Sequence, residues 1–163
     1  MTEYVVQSFK YGGDEKLFLE MRPRPFLFDD VSQNAESSFE VYFTIPTDKA
    51  ERIYNHGFSL DSSGVSEEWL NSKAKTAKKY TAVFYRDTKN GVLDLTGIPQ
   101  KSRSNIEIAL ENQTLIISLG AKLKIAKCKL VRDWFLANEL AEFGNTVSNF
   151  FMSRGLPKGF TED

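Results

Sequence analysis

A chain of 163 residues with a formal charge of −1 is the size of one domain, residues 1–163, and buries roughly two-thirds of its unfolded surface without cross-links. Its single cysteine, Cys128, and single histidine, His56, exclude an intrachain disulfide and a four-ligand zinc site built from those two residue types. No segment approaches the ~20 apolar residues of a membrane span, and the opening MTEYVVQSFKYGG has neither a basic leader nor a long apolar run, so a cytoplasmic protein without a cofactor is expected.

The small net charge conceals three blocks. Residues 1–68 carry 13 Asp/Glu against 6 Lys/Arg, residues 69–132 carry 4 against 13, and residues 133–163 carry 5 against 2. A basic centre between acidic flanks is suited to nucleic acid, to an acidic protein surface, or to the molecule's own carboxylates.

In chain order, residues 4–10 and 16–22 are rich in β-formers and flank Gly12-Gly13, which predicts a hairpin. Arg22-Pro23-Arg24-Pro25 forces extended backbone, with Phe26 and Phe28 on alternate positions and a polar loop over 29–38. Phe39, Val41, Phe43 and Ile45 then alternate with polar residues as a half-buried strand. Pro46 closes it. Asp48 and Glu51 are spaced as a capping box for a short helix to about residue 56, stopped by Gly57. Ser66, followed by Glu67 and Glu68, reads as the N-cap of a second helix carrying Trp69, Leu70, Ala74 and Ala77 inward. Its last turns display Lys73, Lys75, Lys78 and Lys79, which a helix dipole favours without any ligand.

Residues 80–86 and 92–95 flank Asn90-Gly91 and predict a second hairpin, and residues 106–110 and 115–119 a third. Residues 121–130 fit a strand by alternation and a helix by the spacing of Leu123, Ala126, Leu130 and Trp134; the helical reading is adopted from about residue 123. It continues through a stripe of Leu136, Leu140, Phe143, Val147 and Phe150, with Gly144-Asn145 as a break and Gly155 and Pro157 at its end. The expected class is α+β, with about six to seven strands in antiparallel β-hairpins, two short helices and one long C-terminal amphipathic helix.

Few residues invite chemistry. His56 is the natural acid–base candidate, but a predicted helix C-terminus accommodates an imidazole without a substrate. The adjacent pairs Asp29-Asp30 and Glu67-Glu68 read as solvated loop and first-turn acids. Cys128, among Lys124, Lys127, Lys129 and Arg132, would be activated if exposed, yet its spacing with Val131 and Phe135 makes it a core residue. Neither Gly12-Gly13 nor residues 155–159 carry the Lys-Ser/Thr of a phosphate loop. No catalytic, metal or cofactor residue is assigned, and the chain is expected not to be an enzyme.

Binding is better represented. Trp134, Phe143, Val147, Phe150 and Phe151 are the expected contacts with a partner protein or a second copy in a dimer. The basic patch joins Lys73, Lys75, Lys78 and Lys79 to Lys122, Lys124, Lys127, Lys129 and Arg132, with Tyr80, Phe84, Tyr85 and Trp134 nearby. Lysines interleaved with aromatics are also what single-stranded nucleic acid requires, though a pI near 5.9 is low for that role. In size, hairpin content and its many Phe and Lys residues the chain resembles the small early proteins of large bacteriophages, several of which inhibit host enzymes. The expected function is therefore a protein-binding inhibitor or adaptor, with single-stranded nucleic-acid binding as the alternative.

Overall fold

The computed structural model describes residues 2–22, 35–46 and 51–138. Its architecture is α+β: a five-stranded antiparallel sheet in simple meander order, covered on one face by helices. The strands are β1 (Ser37–Ile45), β2 (Arg52–Leu60), β3 (Val65–Ala74), β4 (Thr81–Asp87) and β5 (Val92–Asp94). The helices are α1 (Thr2–Gln7), which runs into a 3-10 turn over Ser8–Lys10, α2 (Glu15–Met21), α3 (Gln100–Ala109), α4 (Ile116–Lys122) and α5 (Ala126–Ala137).

β1 lies where the alternation predicts, and β4 and β5 form the predicted hairpin, with Gly91 at φ 66° in its turn. The two helices expected before residue 80 are corrected, because the chain from Arg52 to Ala74 is two strands. In β2 the residues Tyr54–Leu60 are all buried, and the polar His56 stands in the core row between Tyr54 and Phe58, which interrupts the apolar–polar alternation of a strand. In β3 the misleading residue is Glu68: a carboxylate with no exposed surface occupies a core position that a sequence reading reserves for an apolar side chain. Lys73 therefore belongs to the end of a strand, and Lys75, Lys78 and Lys79 to the connection into β4, rather than to a helix. Asp48 of the expected capping box lies outside the described residues.

The first and third expected hairpins are corrected in the opposite direction. Asp14 accepts a hydrogen bond from the Leu17 backbone N–H at 2.9 Å and so N-caps α2, where a hairpin loop is expected. Tyr4, Tyr11 and Phe18, seven residues apart, are all buried, a spacing that two helical segments satisfy. In α3 the Ile106/Ile108 alternation is accidental, since Ile106 is fully buried while Ile108 is 84% exposed. α4 is buried from Ile116 to Ala121, and a short apolar run buried all round carries no period that distinguishes helix from strand.

The expected helix from about residue 123 is α5, beginning at Ala126. Ahead of it, Lys124 adopts φ 60° and the Ile125 N–H bonds to the Gly120 carbonyl at 2.8 Å, so α4 and α5 fold back on each other instead of forming one rod. A Cβ at Gly120 would lie 2.6 Å from Cys128 Sγ, and this close approach explains the glycine. Leu136 is the last residue of the expected stripe within the described part; Leu140, Phe143, Val147 and Phe150 lie outside it, and so does the long C-terminal helix they define.

Register assigns the sheet faces. Phe39, Val41 and Phe43 pair with Phe58, His56 and Tyr54, and these in turn with Glu68, Leu70 and Ser72. This face meets the helices: Phe43 stacks on Trp134 at 4.2 Å, Tyr4 on Phe58 at 5.8 Å, and His56 meets Phe135 edge-on at 5.9 Å. Burial of these rings at ~25 cal/mol per Å² is the principal force holding the layers together.

Candidate functional site

The face of the sheet away from the helices carries a different population. Ser38, Glu40, Tyr42 and Thr44 of β1 stand in register with Ser59, Gly57, Asn55 and Ile53 of β2, and those with Glu67, Trp69, Asn71 and Lys73 of β3. Tyr85 and Asp94 extend the row of Trp69 across β4 and β5, and Asp87 that of Glu67. No described helix makes an aromatic or hydrogen-bonded contact with this face.

Its centre is an ordered aromatic and amide network. The Trp69 ring lies so close over Gly57 that a Cβ there would sit 2.1 Å from it. Trp69 Nε1 and Asn71 Nδ2 both donate to Asn55 Oδ1 at 3.1 Å, and Asn55 Nδ2 donates to Glu40 Oε1 at 2.8 Å. Asn55 is 5% exposed, so this network stands on a buried, satisfied amide, and the indole edge is fixed in place. Tyr85 donates its hydroxyl to Glu67 at 2.7 Å, which pushes its pKa up to about 12.

Charge is segregated along the strands. One end bears Lys73, with Lys75, Lys78 and Lys79 in the connection just beyond it and Lys75 paired with Glu51; the Lys73 ammonium stands 4.8 Å above the Tyr80 ring, and Tyr80 is edge-on to Tyr42 at 6.4 Å. Tyr42 is 63% exposed. The other end bears Glu67 and Asp87, neither of which forms a salt bridge with a cation among the described residues, while Lys89 beside them is engaged by Glu36 at 2.8 Å. Lys73 and Glu67 are six residues apart on one strand, about 20 Å at ~3.3 Å per residue, more than twice the ~8 Å Debye length. The two poles therefore do not neutralise each other.

The sequence-defined basic patch is divided by the fold. Of its first four lysines, Lys73 stands on this face of β3 and Lys75, Lys78 and Lys79 in the connection beyond it, Lys75 paired with Glu51; the other five residues lie on the helical layer and are largely used locally. Lys122 sits over the Phe9 ring at 5.0 Å, Lys127 Nζ donates to the Gly97 carbonyl at 3.1 Å, and Lys129 and Arg132 both engage Asp133. Lys124 occupies the left-handed turn between α4 and α5. Trp134, the one expected contact residue within the described part, stacks on Phe43. Phe143, Val147, Phe150 and Phe151 lie outside the described residues. Tyr42, Trp69 and Tyr85 were not singled out as a shared surface by sequence; the only available signal was that they alternate with core residues on their strands.

The residues suited to chemistry are gathered in the core. Glu68 accepts from the backbone N–H groups of Ile116 at 2.6 Å and Ile117 at 3.1 Å, so a strand carboxylate caps the buried N-terminus of α4. His56 Nε2 stands 3.5 Å from the same carboxylate, and both side chains are at most 1% exposed. Arg86, paired with Glu68 in register, donates to the Thr114 carbonyl at 2.8 Å; desolvation lowers its pKa, opposed by Glu68. Burial, with Glu68 second, raises the Cys128 thiol to about 12. A histidine, a carboxylate and a thiol are thus neighbours, but each is sealed from solvent and the carboxylate is committed to a helix end.

A cavity of about 480 Å³ lies between the 96–99 turn and the start of α5, lined by Ile98, Pro99, Arg103, Ile125 and Lys127. Arg103 donates to the carbonyls of Ile98 and Thr96 and Lys127 to that of Gly97, so its cations hold the turn together. No group of three or more His, Cys, Asp or Glu that could hold a metal occurs among the described residues, and no described helix is long and apolar enough to cross a membrane.

Fold and surface together define a helix-backed antiparallel meander with one polar, aromatic-bearing face that no described helix covers. Comparison of the chain with protein-family models, with curated proteins and with solved structures found no match.

Proposed function

We propose that this chain is a non-enzymatic, protein-binding regulator of the inhibitor or adaptor kind, and that its contact surface is the open face of the sheet. The observation that carries the reading is the set of aromatics Tyr42, Trp69 and Tyr85, in two neighbouring cross-strand rows of a face that no described helix covers. Tyr and Trp dominate protein contacts because they bring large, rigid, amphipathic area at low entropic cost, and here the amide of Asn55 fixes the central indole beforehand. The non-enzymatic part is supported by the burial of His56, Glu68 and Cys128, each with 1% exposure or less.

Affinity capture with the wild-type chain and with Tyr42→Ala/Trp69→Ala as baits tests the reading. The expected result is a discrete protein that resists nuclease, is retained by the wild type and is lost with the double variant while its circular dichroism is unchanged. Equal retention by both baits places the contact elsewhere. A second reading, single-stranded nucleic-acid binding, is favoured by the Lys73 ammonium over Tyr80 beside exposed Tyr42. It requires that the captured material be nucleic acid and that binding collapse between about 50 and 200 mM salt.

A further inference from the structure

We infer that the occupant of the open face is a second copy of this chain, docked face to face with its strands reversed. The inference rests on the reading of that face as a protein-contact surface and names what covers it.

The argument is one of self-complementarity. In a symmetric dimer each patch meets its own counterpart through a twofold axis, so a face can pair with itself only if the rotation brings unlike charges together. Here Lys73 and the carboxylates of Glu67 and Asp87 lie at opposite ends of the face, on either side of the Trp69 and Asn71 rows. An axis lying between the two faces, across the strands at the level of Trp69 and Asn71, reverses strand direction and sets each lysine pole over the partner's carboxylates. An axis running along the strands would instead oppose lysine to lysine. Charge thus selects one of the two symmetric arrangements.

The centre of the face suits the first arrangement. Trp69 and Asn71 flank the axis, so the indole and amide of one copy meet those of the other, with Tyr42 and Tyr85 on either side filling the ~10 Å between packed sheets. Nine-residue strands spaced about 4.8 Å apart make a face of roughly 30 by 20 Å, or about 600 Å² per copy, against the ~800 Å² of a standard interface. The 5%-exposed, fully bonded Asn55 beneath it leaves no buried donor stranded when water is expelled.

The test is a charge exchange followed by analytical ultracentrifugation at low and moderate salt. One variant carries Lys73→Glu and Lys78→Glu; the other carries Glu67→Lys and Asp87→Lys. The wild type is expected at twice its chain mass of 18.5 kDa. Each variant alone opposes like charges and is expected as a monomer, while an equimolar mixture restores attraction at both poles and returns the dimer. Because a variant can fail to fold, zero-length carboxylate–amine cross-linking of wild-type protein mixed with its isotope-labelled form provides a second measurement. Mixed-isotope peptides joining Lys73 or Lys78 to Glu67 or Asp87 support the arrangement. A wild type that stays monomeric, a folded variant that stays dimeric, or cross-links joining only other sites overturns it. A monomeric wild type that still loses captured protein in the Tyr42→Ala/Trp69→Ala bait overturns self-docking and leaves the contact-surface reading intact; indifference of both overturns the two together.

Discussion

Glu68 joins the two layers of the molecule. Its carboxylate accepts the first two N–H groups of α4 and has His56 and Arg86 as neighbours, so replacing it strands several buried polar groups at once. Glu68→Gln retains the shape, loses one acceptor and turns an amide N–H₂ toward a backbone N–H. The expected loss is about 2–3 kcal/mol, measured by urea denaturation, and a change below about 1 kcal/mol would remove the capping role. At Cys128 the sign of the pH dependence follows from burial. The thiol is raised from 9.0 in the unfolded chain to about 12 in the fold, so the native state holds a proton that the unfolded state releases above pH 9. Stability contributed by this group is complete below pH 9 and declines from there toward pH 12; the buried phenols of Tyr4 and Tyr11 shift in the same direction. The native protein is expected to resist thiol alkylation at pH 8 and to react at once in denaturant. Rapid native alkylation would place Cys128 at the surface.

Among elements, legibility tracked exposure. β1 was readable because one of its faces is wet: Glu40, Tyr42 and Thr44 stand in solvent between Phe39, Val41 and Phe43. α4 is buried all round and left no period to read, while β2 and β3 were hidden by a histidine, His56, and a carboxylate, Glu68, in their core rows. α2 was concealed by the aromatic and aliphatic residues around it, although its own N-cap signal, Asp14 followed by an acidic first turn, was present in the sequence. That cap has a measurable worth: Asp14→Ala leaves the Leu17 N–H without its side-chain partner and is expected to cost about 1 kcal/mol, lowering the melting temperature by several degrees. An unchanged melting curve would show that the cap contributes nothing to the folded state.

For the whole molecule, the uneven charge blocks visible in the sequence do not become separate faces. The meander turns Glu40 of β1 and both the acidic and the basic end of β3 onto one surface, while the lysines of α4 and α5 stand on the helical side and spend most of their charge on Phe9, Gly97 and Asp133. A dimer formed through the open face would hold two copies of the helical layer outward. Its association should weaken as salt rises, because the opposed poles are at the rim and exposed to screening, while the Trp69 centre persists. Sedimentation in a salt series checks this, and a dimer strengthened by salt would assign the contact to apolar area alone.

By itself the sequence determined the α+β class, the strand through Phe39, Val41, Phe43 and Ile45, the Asn-Gly hairpin, the lack of a cysteine–histidine metal set and the segregation of charge, because each depends on local periodicity, on turn chemistry or on counting. Only the tertiary structure decided that residues 52–74 are strands, that Tyr42 meets Tyr80 and Trp69 covers Gly57, and that His56, Glu68 and Cys128 are interior. Those outcomes depend on which faces are covered. A residue's partner across a sheet is set by register between distant segments, and burial on both sides removes the polar–apolar contrast from which a sequence is read.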